Sequence, residues 1–173
     1  TGVVNEHVNV RENAGLFDVS HMGEFWVKGE GAFDFLQALT TNDLRKATPG
    51  KAQYNLLPNG KGGIVDDFII YHFPAGKYML VVNAANIEKD WNWFQQHLPG
   101  NVTMDNASNQ MCLFALQGPK AMDILQPLVD ISLHEIKTFH FATTAVAGMQ
   151  DVIVSATGYT GAGGFELYFS NER

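Results

Sequence analysis

At 173 residues the chain is long enough for one sizeable core or two small intergrown domains. A formal net charge of −7, with acids spread along the sequence, argues against the basic stripe a nucleic-acid footprint needs; no apolar run approaches a membrane span, and no signal-peptide pattern opens the chain. The single cysteine, Cys112, excludes an internal disulfide and a cysteine-based metal cluster, and its apolar surroundings, Met111 to Leu116, lead us to expect a buried, inert thiol.

In chain order, residues from about Asn5 to Asn13 read as the tail of a helix with Gly15 as its terminator. Gly23 to Lys28 alternates apolar and polar, the period of a strand, whereas Phe33, Leu36 and Leu39 recur at helical spacing between Gly31 and Leu39. Lys51 to Leu57 reads as a strand with Tyr54 inside it. Pro58 to Gly63 carries turn residues and Ile64 to Phe73 is β-branched and aromatic, so the two strands should form a hairpin. A second turn, Pro74 to Lys77, leads to a strand over Tyr78 to Asn83 and extends the hairpin into an antiparallel meander. From Ala84 to Leu98 the period is helical through Ile87, Trp91, Phe94 and Leu98, and Pro99-Gly100 stops it. A short strand is expected over Val102 to Met104, a buried one over Met111 to Gln117, and a helix from Pro119 to about Val129. Thr138 to Ala147, Val152 to Thr157 and Phe165 to Phe169 read as further strands. Strands and helices mix without regular βαβ alternation, so the fold class is α+β with antiparallel sheets. The chain starts at Thr1 without Met and stops at Arg173 directly after a strand-like run, as expected of a piece of a longer protein.

Three stretches carry possible chemistry. In Ile64-Val65-Asp66-Asp67-Phe68-Ile69-Ile70-Tyr71, two adjacent acids fall on opposite faces of a strand. One of them must point to the buried side or a cavity, where a carboxylate costs free energy unless it is paired, hydrogen-bonded or used on a ligand. Gly62 and Gly63 before it would let a backbone or a flat ligand come close. Tyr54 on the preceding strand lies within a few rungs, and a carboxylate beside a phenol suits general acid/base work. The alternative is an edge strand with one solvated and one capping acid. In Phe17-Asp18-Val19-Ser20-His21-Met22, neighbours on one extended segment point apart and no G-x-S-x-G turn is present, which disfavours a hydrolytic triad. A local network in which Asp18 and Ser20 hold a loop and orient His21 fits better. In Thr157-Gly158-Tyr159-Thr160-Gly161-Ala162-Gly163-Gly164-Phe165-Glu166, the absence of G-K-[ST] and of a following helix excludes a P-loop. Either the loop presents Tyr159 and Glu166 to a ligand such as an aminopyrimidine-type ring, or it is a glycine-rich hairpin connection. The six histidines show no H-E-x-x-H or comparable spacing, so no metal site is expected.

These stretches together resemble the aminomethyltransferase, or T-protein, of the glycine cleavage system. The resemblance runs in order through Leu16-Phe17-Asp18-Val19-Ser20-His21-Met22-Gly23-Glu24-Phe25, Thr41-Asn42-Asp43, Gly62 to Asp67, Val81-Val82-Asn83-Ala84-Ala85-Asn86-Ile87-Glu88-Lys89-Asp90, Leu116 to Ala121 and Thr157 to Gly161. It implies a folate-binding fold of three domains, of which this chain holds the middle. Residues 1–23 and 108–173 would be parts of a discontinuous first domain and residues 24–107 an inserted second one, with the N-terminal segment and the C-terminal barrel domain missing. It implies transfer of the one-carbon unit from the aminomethyl-lipoyl arm of H-protein to tetrahydrofolate, with release of ammonia. Asp67 falls on the family's catalytic carboxylate. Tyr54, Tyr71, Asn83, Tyr159 and Glu166 fall on folate-contact positions, Glu166 on the pterin. An arginine-bearing segment that would follow the Glu166 strand is not in this chain, so the chain alone would be an incomplete enzyme. Ala162-Gly163 stands where the family usually has Glu-Asp. Tetrahydrofolate as co-substrate and lipoylated H-protein are the implied partners, without nucleic acid or membrane; the implied compartment is the cytoplasm in a bacterium and the mitochondrion in a eukaryote. The alternatives are a folate-binding domain of a dimethylglycine- or sarcosine-type enzyme, or a non-catalytic folate-binding module. The related protein linked to tRNA modification usually carries K-G-C-Y-x-G-Q, which is absent here.

Overall fold

The computed structural model describes residues 2–172. In chain order they form α1 (Val3–Glu12), β1 (Gly15–Asp18), β2 (Gly23–Lys28), α2 (Ala32–Leu39), β3 (Lys51–Pro58), β4 (Ile64–Phe73), β5 (Lys77–Val82), α3 (Ile87–Gln96), β6 (Thr103–Asn106), β7 (Met111–Gln117), α4 (Ala121–Leu125), β8 (Phe141–Val146), β9 (Met149–Ser155) and β10 (Gly164–Ser170), with short 3-10 turns between. They divide into two compact units, one of the two chain ends (up to Ser20 and from Gln110) and one of His21–Asn109. Each unit is built on a five-stranded antiparallel sheet.

In the unit of His21–Asn109 the strand order is β3-β4-β5-β2-β6. Alternation sends Leu57, Phe68, Ile70, Leu80, Val82, Phe25 and Val27 to one face, where Phe35 and Leu36 of α2 and Phe94 of α3 close the core. Phe94 meets Phe68 and Phe35 edge-on, with ring centroids 5.6 and 6.2 Å apart. The opposite face carries Tyr54, Asp67, Ile69, Tyr71, Val81 and Glu24; Ile69 pairs with both Tyr54 and Val81, and Val81 with Glu24. The β3–β4 turn is held by Asn59, whose Oδ1 accepts from the backbone N–H of Lys61 (2.8 Å) and of Gly63 (3.0 Å). Gly62 sits at φ +85, a left-handed conformation that the turn reserves for glycine, with open space where a Cβ would be, while a Cβ on Gly63 would meet the Asn59 side chain.

In the unit of the chain ends the order is β1-β7-β10-β9-β8. Leu116, Val152, Val154, Phe165 and Leu167 pack against Ala121 and Leu125 of α4 and against Leu133. Here the structure departs from the pattern reading in several places. Gly15 does not end a helix; it opens β1, a four-residue edge strand paired with β7. With Leu16 62% and Phe17 39% exposed, that strand has no alternation to betray it. The strand expected from Thr138 begins only at Phe141, because Phe139 takes a left-handed φ of 56. Cys112 is half-buried rather than buried. The Asp18–Ser20 loop is held as expected: the Ser20 N–H donates to Asp18 Oδ1 (3.0 Å) and the Leu113 N–H to Ser20 Oγ (3.1 Å), while His21 is exposed. Among the described residues, no helix is long and apolar enough to cross a membrane.

Candidate functional site

Asp67 leaves β4 on the face away from the helices, half-buried, and both of its carboxylate oxygens are held. Tyr54 is one rung diagonal on β3, since Leu56 pairs with Asp67 and Tyr54 with Ile69. Its hydroxyl donates to Asp67 Oδ2 at 2.9 Å. Asn83, at the end of β5, lies within 3.2 Å of Asp67 Oδ1 and 2.9 Å of the Asp67 carbonyl through Nδ2. Tyr54 is 47% exposed yet fixed from behind, because Asn42 Nδ2 donates to its carbonyl (2.6 Å) and the Asn42 N–H donates to the enclosed Asn55 (3.0 Å). The Thr41-Asn42-Asp43 segment thus covers the open edge of β3. Tyr71 lies on the same face four residues along β4 and is fully enclosed.

Asp66 points the other way, toward the helices, and is 8% exposed. Asn83 Nδ2 reaches its Oδ1 as well, at 3.2 Å. Its second neighbour is Asp90 of α3, 1% exposed. Two buried carboxyls in contact resist ionising together. Burial, then the hydrogen bond and charge of Asp66, push Asp90 up to about 8, against the pull of Lys89. Burial also pushes Asp66 up, but hydrogen bonds from Asp90, Asn86, the Asp67 backbone and Asn83 outweigh it and hold Asp66 below the usual carboxylate range.

In the other unit, Glu166 occupies β10, between Ala115 of β7 and Ser155 of β9. Its Oε2 accepts from the hydroxyls of Thr157 and of Tyr168, the latter at 3.3 Å. The glycine-rich loop before it is anchored by the buried Gln117. Thr160 Oγ donates to Gln117 Oε1 (2.9 Å), and Gln117 Nε2 donates to the carbonyls of Thr157 (3.2 Å) and Phe165 (3.3 Å). A Cβ on Gly158 would stand 2.1 Å from Gln117 Oε1, so that glycine admits a side chain of the protein itself. Ala162-Gly163 is tied down through its backbone: the Ala162 N–H donates to Thr160 Oγ (3.2 Å) and the Gly163 carbonyl accepts from Gly118 (2.8 Å). Tyr159 is fully exposed at the tip. Among the described residues, no group of three or more His, Cys, Asp or Glu side chains could hold a metal ion.

Against known proteins, the chain matches the GCVT N-terminal domain over residues 1–173. It belongs to that family. It is 55% identical over 172 residues to an aminomethyltransferase of Phocaeicola vulgatus, covering 99% of this chain and 48% of the relative. It is also 55% identical over 171 residues to one of Flavobacterium psychrophilum, with the same coverage. The chain therefore spans about half the length of these relatives. Among solved structures, the glycine cleavage system aminomethyltransferase T of Bartonella henselae superposes with a TM-score of 0.87 at 32% identity, over 97% of this chain and 45% of that one. A sarcosine oxidase of Corynebacterium sp. U-96 shares the fold, at a TM-score of 0.66 and 15% identity, over 96% of this chain and 82% of that one.

Within this GCVT N-terminal domain, pattern reading passed over three buried polar residues. Asp90 is an acid on the apolar stripe of α3, three residues after Ile87 and four before Phe94, and that misfit was its signal. Gln117 closes an otherwise apolar run, and nothing local marks it as the loop's anchor. Glu24 of β2 is 1% exposed, its Oε2 has no hydrogen-bond partner among the described residues, and burial pushes it up to about 8. A folded-state value raised above the unfolded 4.5 stabilises the fold fully below about pH 4.5, and that contribution is lost as pH rises through about 8. Glu24→Gln should remove this slope. All three tryptophans (Trp26, Trp91, Trp93) lie in the same unit, so urea midpoints followed by their fluorescence report on it. Between pH 5 and 9 the midpoint should fall further in the parent sequence than in the variant; parallel curves would show that Glu24 is not a buried acid.

Proposed function

We propose that the intact protein containing this chain is an aminomethyltransferase that moves the one-carbon unit from the aminomethyl-lipoyl arm of H-protein to tetrahydrofolate and releases ammonia. One observation carries this reading: the Asp67 carboxylate is held at both oxygens by Tyr54 and Asn83 on a face away from the core. A carboxylate fixed in this way can accept a hydrogen bond from the attacking folate nitrogen without reorganising, which favours the nitrogen as nucleophile and gives the displaced proton an acceptor. Tyr54 and Asn83 border the folate beside Asp67, and Tyr71 backs the same face from within the sheet. Glu166, oriented by Thr157 and Tyr168, takes the amino-substituted pterin ring, for which a carboxylate offers two parallel acceptors. Tyr159 offers an exposed ring to stack on the ligand. The 32–55% identities to proteins named aminomethyltransferase support the same reaction. The intact protein, given aminomethylated H-protein and tetrahydrofolate, should release ammonia and form methylenetetrahydrofolate in equal amounts. Ammonia release independent of folate, or none, would overturn the reading.

A further inference from the structure

The Asp66–Asp90 pair lies directly behind Asp67 and takes no part in the chemistry above. Asp90 is 1% exposed and Asp66 8%. Neither oxygen of Asp90, nor Oδ2 of Asp66, has an N–H or O–H donor among the described residues. Two carboxylates so enclosed would leave these three oxygens without a donor and would repel each other. One proton on Asp90 removes the repulsion and relieves the loss of hydrogen bonds, because the resulting hydroxyl donates to Asp66. The pair is joined to Asp67 by a single side chain: Asn83 Nδ2 stands 3.2 Å from Asp66 Oδ1 and 3.2 Å from Asp67 Oδ1. The amide also donates to the Asp67 carbonyl at 2.9 Å, so a change at Asp66 acts on a group whose other contacts among the described residues are all to Asp67.

We propose that Asp90 is a positioning residue for Asp67, holding one proton shared with Asp66 and thereby fixing Asn83 and the Asp67 carboxylate. This rests on the reading of Asp67 as the catalytic carboxylate. The charges acting on Asp90 are Asp66 and Asp67 from β4 and Lys89 from its own helix, whose ammonium donates to the Val65 carbonyl at 2.6 Å. Burial first, and then the two acids, outweigh Lys89, so the pair gives up its proton only in mildly alkaline solution. There the doubly ionised pair pushes apart and Asn83 loses its register between Asp66 and Asp67.

The test uses the intact protein and follows kcat and the KM for tetrahydrofolate against pH. The parent should lose kcat as pH rises through about 8, the value to which Asp90 is raised, with KM little changed. Asp90→Asn is near-isosteric and donates a hydrogen bond at every pH. It should keep kcat at neutral pH and lack the alkaline decline. Asp66→Asn, which relieves the repulsion from the other side, should also flatten it. Asp90→Ala, with no donor, should lower kcat about 10–100-fold at all pH values, the scale of a displaced reacting group. An infrared spectrum at pH 7 should show one fewer protonated carboxyl in Asp90→Asn than in the parent, a readout independent of catalysis. An unchanged carboxyl band, or an alkaline decline retained in both Asn variants, overturns the proposal. Asp67→Asn separates the two readings: if it is inactive while the Asn variants keep the decline, only the positioning role fails. If Asp67→Asn turns over normally, the catalytic reading itself falls.

Discussion

Asp67→Asn, made in the intact protein, should leave the fold in place and reduce turnover by about 10²–10⁴-fold, the usual contribution of a positioned acid/base group. The substitution keeps shape and volume. The amide oxygen can still accept from one of the two donors, Tyr54 at 2.9 Å or Asn83 at 3.2 Å. The sheet should not rearrange either, because Asp67 pairs with Leu56 through backbone alone. What disappears is the negative charge and the capacity to take a proton. The loss should therefore fall on kcat, with the KM for folate changing much less, as for an interaction made mainly in the transition state. Steady-state rates with aminomethylated H-protein as donor would measure it. A kcat within a few-fold of the parent would remove Asp67 from the chemistry and leave a folate-binding module as the better reading.

Phe94→Ala should cost the unit of His21–Asn109 about 3–5 kcal/mol, the range for truncating a buried aromatic. Phe94 has no exposed surface, and it is the ring through which α3 meets both the sheet, at Phe68, and α2, at Phe35. Helices on either side of the void are fixed by their other contacts, so little of it can collapse. The same helix carries Asp90 one turn away, so the variant should also loosen the support behind Asp67. Urea unfolding of this chain followed by tryptophan fluorescence reads the effect. A shift corresponding to less than about 1 kcal/mol would show that the core relaxes around this position.

The chain shows clearly why some features are legible from sequence and others are not. The β3–β4–β5 meander was readable because each strand is bounded by turn chemistry and its β-branched run has a single compatible period. The position of Tyr54 beside Asp67 followed from it, since a closed hairpin leaves little freedom in register. The edge strand β1 was not readable: four residues with two exposed large apolar side chains carry no periodic signal. The glycines are a related case: Gly62 takes a left-handed turn conformation and Gly158 stands against the Gln117 side chain, and neither role has a local signature. Sequence shows that a glycine is needed, but not whether a turn, a neighbouring side chain or a ligand needs it.

Local pattern by itself determined that this is an α+β chain with antiparallel sheets, that Asp66 and Asp67 face opposite ways, and that one of them must be enclosed. Those conclusions depend only on the two-residue period of a strand and the cost of burying charge. Which acid is enclosed, and what satisfies it, was decided by tertiary structure. Asp66 is the buried one because α3 packs on its face, and it meets Asp90, 24 positions later in the chain, through a contact with no local signature. The same holds for Gln117, which reaches Thr160 43 residues away and anchors the loop before Glu166. Hydrogen bonds between distant side chains depend on how whole elements are placed, and that placement is set by core packing such as the meeting of Phe94 with Phe68 and Phe35.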